Sequence, residues 1–186
     1  VGFLVIVGVG LKVGMSLLVS SYDSVNADAS GQSPTNLGEN SGSAQSLTPW
    51  DTLGREGRYY VSNTMTPANI EEITGAPAQT PFRVYVGMQQ GDTAQARTQL
   101  ALQELDRVKA WDRKYLVIYA VTGTGWVNPD GINSLEAVTG GDVTTVAVQY
   151  SAVPSWIGFV LDPATTQIQN RDTVDAVIAA WKARPA

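Results

Sequence analysis

The sequence predicts an α/β fold, a three-layer sandwich around a mainly parallel sheet, preceded by a transmembrane helix. Three observations carry this. Through the second half of the chain, short runs of β-branched and aromatic residues alternate with apolar residues at helical spacing. Val1 to Val19 is apolar except for Lys12, Ser16 and glycines. Between the two, Ser20 to Leu53 is dominated by Ser, Gly, Asn, Asp and Gln.

At about 1.5 Å of rise per residue, Val1 to Val19 nearly spans a hydrocarbon core about 30 Å thick, which is the basis for a transmembrane helix over 1–19. Gly10-Leu-Lys-Val-Gly14 has the small-xxx-small spacing that lets another helix pack closely. Lys12 can snorkel along such an interface. A signal peptide with Val25-Asn26-Ala27 as its cleavage site is the rival reading, against which stand the missing basic start and the length of the run. The polar stretch cannot bury enough surface to offset its ordering entropy, and so reads as a flexible linker over 20–56.

The folded part is expected over 57–186. Tyr59 to Ser62 is a short strand candidate, and Thr66-Pro67 opens a helix with Ile70 and Ile73 on one side and Gly75 at its end. Phe82 to Val86 is the next strand. Asp92 with Gln95 resembles a capping box for a helix to about Lys109, with Ala94, Ala101, Leu102, Leu105 and Val108 on one face and Glu104, Asp106 and Arg107 on a solvated one. Tyr115 to Val121 reads as a buried strand, Ile132 to Val138 as a short helix closed by Gly140-Gly141, and Val143 to Gln149 as a central strand. Asp162-Pro163 restarts a helix in which Val174, Val177, Ile178 and Trp181 follow the i, i+3, i+4, i+7 rule.

Composition narrows the chemistry. The 186 residues carry a net charge of -5, with no run of Lys or Arg to bind phosphate, so no nucleic-acid partner is expected. Absence of cysteine and histidine excludes disulfides, thiolate catalysis and the commonest zinc ligands. No metal and no cofactor are expected. Thr122-Gly123-Thr124-Gly125-Trp126 follows a strand directly, at the position where α/β proteins place chemistry. Its two glycines let backbone approach a ligand and turn N–H groups toward developing negative charge, or else they form a tight strand exit. A dinucleotide or flavin site is the competing use. Against it, Asn128 stands where the third glycine of that fingerprint belongs, Ser151 stands where the ribose-binding acid belongs, and Asn128-Pro129-Asp130-Gly131 reads as a turn rather than a helix start.

Four segments in order resemble a family of bacterial membrane proteins with an N-terminal membrane domain and a C-terminal α/β-hydrolase catalytic domain. They are Gly57-Arg58-Tyr59-Tyr60-Val61, Arg83-Val84-Tyr85-Val86-Gly87, Thr122 to Val127, and Gln149-Tyr150-Ser151-Ala152-Val153-Pro154-Ser155-Trp156. The resemblance covers about Gly57 to Pro185. It implies a partial α/β-hydrolase-like sandwich in which a strand and a Gly-x-Ser-x-Gly nucleophile elbow come after an Arg-Pro like Arg184-Pro185. No Gly-x-Ser-x-Gly occurs here, and without histidine the chain cannot complete a Ser-His-Asp triad. With Val1 in place of Met, it reads as a fragment of a membrane-anchored serine hydrolase, esterase-like, lipase-like or acyltransferase, whose missing N- and C-terminal parts supply the rest.

On this reading Thr124, Gly125 and Trp126 offer the oxyanion N–H groups, while Thr122, Gly123, Tyr150, Ser151 and Trp156 line the substrate site. Trp126 has a second reading as a core or membrane-facing side chain. Ser151 and Ser155 lack a base and an elbow, so neither reads as a nucleophile. Asp142 falls at the opposite edge of the sheet and reads as a turn residue. The implied partners are membrane lipid and a lipid-like or small ester, and the implied location is a bacterial cell membrane. A noncatalytic membrane-tethered α/β module is the alternative.

Overall fold

The computed structural model describes residues 2–34, 37–161 and 163–184, with side chains over 13–34, 37–159 and 170–184. Three parallel strands form the sheet: β1 (Phe82–Val86), β2 (Tyr115–Tyr119) and β3 (Val143–Val148), in spatial order β1-β3-β2. Val84 pairs with Val146 on one side of β3, and Ile118 pairs with Val146 on the other. All six residues of β3 are buried, as a central strand requires. Tyr115 to Val121 was expected to be a buried strand, but β2 lies at the sheet's edge, with Tyr115 exposed and the rest half-buried.

Helices cover both faces. Chain order adds α1 (Gly2–Ala27), α2 (Gly54–Ser62), α3 (Pro67–Thr74), α4 (Ala94–Arg107), α5 (Pro129–Val138), α6 (Ser155–Leu161) and α7 (Pro163–Lys182). Because side chains alternate along a strand, Tyr85, Ala147 and Tyr119 join a core with Leu53, Tyr60, Val61 and Ile132 on one side. Val84, Val86, Val146 and Val148 meet Ala101, Leu105 and Val177 of α4 and α7 on the other. The expected three layers are present.

Local signals set several boundaries. Thr66 Oγ1 accepts the Asn69 amide, Pro67 occupies the first turn, and Gly75 ends α3 at φ 69°. Thr93, not Asp92, caps α4, accepting the Ala96 amide. The strand expected at Tyr59 to Ser62 is the last part of α2, because Gly57, Arg58, Tyr60 and Val61 share a buried helical face. The expected turn at Asn128-Pro129-Asp130-Gly131 is the start of α5, where Asn128 Oδ1 accepts the Asp130 amide at 3.0 Å. Proline at the first helical position fits a helix start as well as a turn.

Two expectations about the N-terminal third need correction. Among the described residues no helix is long and apolar enough to cross a membrane, so the transmembrane helix is not found there. Val1 lies outside the described residues, as do the side chains of 2–12. The helix itself runs past Val19 through Ser20, Ser21, Tyr22, Asp23 and Ser24, and its end docks on α2. Arg58 is the clamp: it is fully buried and donates through Nη2 to the Ala27 and Asp28 carbonyls and through Nε to Gln32 Oε1.

The second half of the stretch expected to be a flexible linker is packed, with Leu37, Asn40, Ser41, Thr48 and Leu53 buried, while most of 20–34 is exposed. Glu104, expected on a solvated face, is 0 % exposed and explains this. Its carboxylate accepts the Leu47 amide, the Ser46 hydroxyl and the Arg107 guanidinium, tying the polar segment to α4. Polar residues here find partners on the domain, which composition alone does not reveal.

Candidate functional site

The loop after β2 and the loop after β3 meet at the carboxyl edge of the sheet, as two parallel neighbouring strands dictate. The Gly123 amide donates to Ser155 Oγ at 2.8 Å. A Cβ on Gly123 would lie 2.2 Å from the Val153 carbonyl oxygen, so only glycine permits the two loops to come this close. Tyr150 is buried, and its hydroxyl donates to the same Ser155 oxygen at 3.3 Å.

Within the first loop a tight turn consumes most of the amides. Gly125 N–H donates to the Thr122 carbonyl at 2.9 Å, and Trp126 N–H donates to Thr122 Oγ1 at 3.2 Å. Gly125 has φ +87°, and a Cβ there would sit 1.9 Å from the Tyr85 hydroxyl. Of the three candidate donors, Thr124 alone has an amide that donates to no protein group among the described residues. The loop thus presents one free N–H held by a turn whose other N–H groups are spent on rigidity.

Two buried side chains hold this turn from below. Tyr85, at the end of β1, donates its hydroxyl to the Gly125 carbonyl at 3.1 Å. Gln149, directly after β3, donates through Nε2 to the Thr124 carbonyl at 2.8 Å, the Ser151 carbonyl at 2.9 Å and Asn26 Oδ1 at 3.2 Å. Its Oε1 accepts the Met88 amide at 3.3 Å. Burial, then the charge of Glu56 and the nearby Tyr60, push the Tyr85 phenol well above its usual range, so near neutral pH it remains a donor. In the sequence both residues stand in the segments that carry the family resemblance, but nothing there gives either a role in the site. The available signal was polarity at the strand ends: a glutamine closing Val143 to Val148, and a tyrosine two residues after Arg83 on the same strand face.

Around this center the remaining candidates separate. Ser151 sits half-buried, accepting the Val153 amide on its own hydroxyl. Trp156 is 68 % exposed in the first turn of α6. Trp126 is 43 % exposed and borders a different open hollow with Ser30, Gln32, Arg55, Tyr59 and Pro129, which Trp156 does not line. Asp142 acts as a turn residue, accepting the Lys114 amide and lying 3.9 Å from Arg113. A hollow of about 340 Å³ between β2 and α7 is lined by Trp111, Leu116, Ile118, Val177 and Trp181 and includes no glycine-loop residue. The start of α5 follows the loop closely, but Asn128 already occupies the Asp130 amide and faces the Gly131 amide, so this helix end is self-capped. Among the described residues no cluster of acidic side chains could hold a metal ion.

Residues 82–186 match a family model described as the alpha/beta-hydrolase family, and residues 1–64 match one described as the N-terminus of that family. No curated protein and no solved structure matches the chain.

Proposed function

The chain belongs to the alpha/beta-hydrolase family, and from that premise we propose that its glycine loop is the oxyanion loop of a serine acyl hydrolase or acyltransferase. In this fold one oxyanion donor follows the nucleophile and the other comes from a strand-end loop at the same edge of the sheet. The observation that carries the reading is the Thr124 amide, which is free of protein acceptors among the described residues while the turn around it is locked. A preorganised N–H of this kind stabilises charge that develops on a carbonyl oxygen, at no cost of reorganisation during the reaction. The sequence contains no histidine and no Gly-x-Ser-x-Gly, so this reading assigns the base and the activated serine to residues other than these 186. Thr122, Tyr150 and Ser151 surround the substrate's reacting end.

The test compares ester turnover by a chain that contains these residues together with a serine–histidine pair with turnover by its Thr124→Pro variant, which lacks the amide proton. We expect kcat to fall roughly a hundredfold with KM little changed, and Thr124→Gly to retain activity. Turnover by the histidine-free chain itself, or a Thr124→Pro variant with unaltered kcat, would place the chemistry elsewhere.

A lipid surface is the proposed location, and a lipid-like ester the proposed substrate. Support comes from α1, where Val13, Leu17, Leu18 and Val25 are exposed apolar side chains on one helix. On this proposal these side chains rest against lipid without the helix crossing the bilayer. Flotation with phosphatidylcholine vesicles should carry the protein upward, and Leu17→Asp should leave it at the bottom. Equal flotation of both forms would remove the lipid reading.

A further inference from the structure

We propose that Gln149 is the positioning residue that sets the Thr124 amide, with Tyr85 as its second support. This rests on the oxyanion reading for its functional meaning, but its geometric content can be tested separately. The loop's two consecutive carbonyls, Thr124 and Gly125, are drawn inward by Gln149 Nε2 and Tyr85 Oη, from the ends of two adjacent strands. A peptide unit is planar, so fixing the Thr124 carbonyl fixes the Gly125 amide across the same bond, and that amide closes the turn on the Thr122 carbonyl. The Gly123–Thr124 peptide, which carries the Thr124 N–H, is then held between two bonded peptides: the one before it, where Thr122 accepts the Gly125 amide and Gly123 donates to Ser155 Oγ, and the one after it, fixed by Gln149. Its own N–H stays out of the turn's internal bonding.

Gln149 has further properties of a positioning group. It is 0 % exposed, so it cannot reach a substrate through solvent. Its two amide protons face three oxygens, on the glycine loop, on the loop carrying Ser151 and on Asn26 at the end of α1. Only a donor with no competing acceptor on the same atom suits that junction. Every direct partner is uncharged: Asn26, the Met88 amide, and the Thr124 and Ser151 carbonyls. The titratable groups nearby are Tyr85, on the Gly125 carbonyl, and Glu56, whose charge acts on Tyr85 and whose own carboxyl is pushed up by burial.

The experiment uses the chain as it stands, followed by amide NMR and hydrogen exchange at Thr124, Gly125 and Trp126. Gln149→Met removes the donor at similar volume. We expect displaced Thr124 and Gly125 resonances at every pH and about fivefold faster exchange at Gly125 relative to the unsubstituted chain. Gln149→Glu restores a donor only while its carboxyl is protonated, and burial raises that pKa. Its Thr124 and Gly125 resonances should therefore lie near their normal positions at low pH and move away in one titration as pH rises. A side chain that merely fills space would leave the Thr124 and Gly125 resonances of Gln149→Met in place, and that control carries Glu56 and Tyr85 unchanged. Normal Thr124 and Gly125 resonances in Gln149→Met, or no titration in Gln149→Glu, would overturn the proposal. If Gln149→Met fails to fold, Gln149→Glu at low pH still decides, because it keeps both volume and donor. Failure of the oxyanion reading would look different: the resonances would respond as described, while Thr124→Pro left ester turnover untouched.

Discussion

Tyr85 shows how much one side chain can be asked to do. Its ring packs 5.5 Å from that of Tyr60 in the core beside α2, while its hydroxyl, at the far end, is the support of Gly125. Burial raises the ionisation of both phenols above the ordinary value of 10.0, and Tyr60 has the further constraint of a 2.6 Å bond to Thr145. A group whose folded pKa is raised contributes stability that is fully present below its unfolded pKa and is lost as pH climbs toward the folded one. Stability should thus hold up to about pH 10 and fall beyond it. Tyr85→Phe is expected to cost about 1 kcal/mol at neutral pH through the lost bond, and to flatten the alkaline decline. Urea midpoints measured from pH 8 to 11 for the two proteins check both parts, and parallel curves would mean that Tyr85 ionises as freely as an exposed phenol.

Among the elements, β1 and α5 are joined by a buried ion pair that the sequence does not announce. Arg83 and Glu136 are both 0 % exposed and meet through two bonds, Nε to Oε1 at 2.6 Å and Nη2 to Oε2 at 2.9 Å. The remaining capacity is used as well: Arg83 donates to the Tyr60 carbonyl and Asn133 Oδ1, and Glu136 accepts the Met65 amide. Removing one partner strands the other charge in the core. Glu136→Leu should therefore cost about 3–5 kcal/mol, and Arg83→Met with Glu136→Leu together much less than the sum of the two single changes. Denaturant unfolding of the four proteins closes this cycle, and simple additivity would show that the pair is not coupled.

Element by element, what was legible follows from what each signal reports. β1, β3 and α3 were readable because β-branched runs, Thr66-Pro67 and Gly75 act locally. Tyr59 to Ser62 misled because Tyr and Val fit a strand pattern, while their burial depends on Tyr85 and Leu53 far away in sequence. The position of the glycine loop was legible too, since parallel strands leave their loops at one edge. Which of its amides stayed free was not, because that depends on Thr122 bonding Gly125 and Trp126 from within the turn. Glu104 and Gln149 were hidden for one shared reason: a buried polar side chain looks solvated until its partners are brought to it.

For the whole molecule, three such buried groups bind α1 and the polar segment after it to the rest of the fold. Arg58 holds the end of α1, Glu104 holds the segment around Leu47, and Gln149 reaches Asn26. The segment expected to be a tether therefore shares the domain's fate, and residues 20–159 should unfold in one transition. Far-ultraviolet dichroism, tryptophan emission and exchange at Asn26 and Leu47 are expected to report the same midpoint. Separate melting of the N-terminal third would show these contacts to be too weak to couple it.

Asn26 and Gln149 are 123 positions apart, yet they share one hydrogen bond. On a ribosome adding about 5–20 residues per second, Asn26 emerges roughly 6–25 s before its partner is made. Late in that interval the end of α1 has Arg58 to rest against but no β3 behind it, and the glycine loop, by then synthesised, has no Gln149 to close on. The junction is thus closed only with the strand that lies at the centre of the described sheet. A nascent chain stalled before residue 149 carries the loop residues without the arrangement that makes them a site.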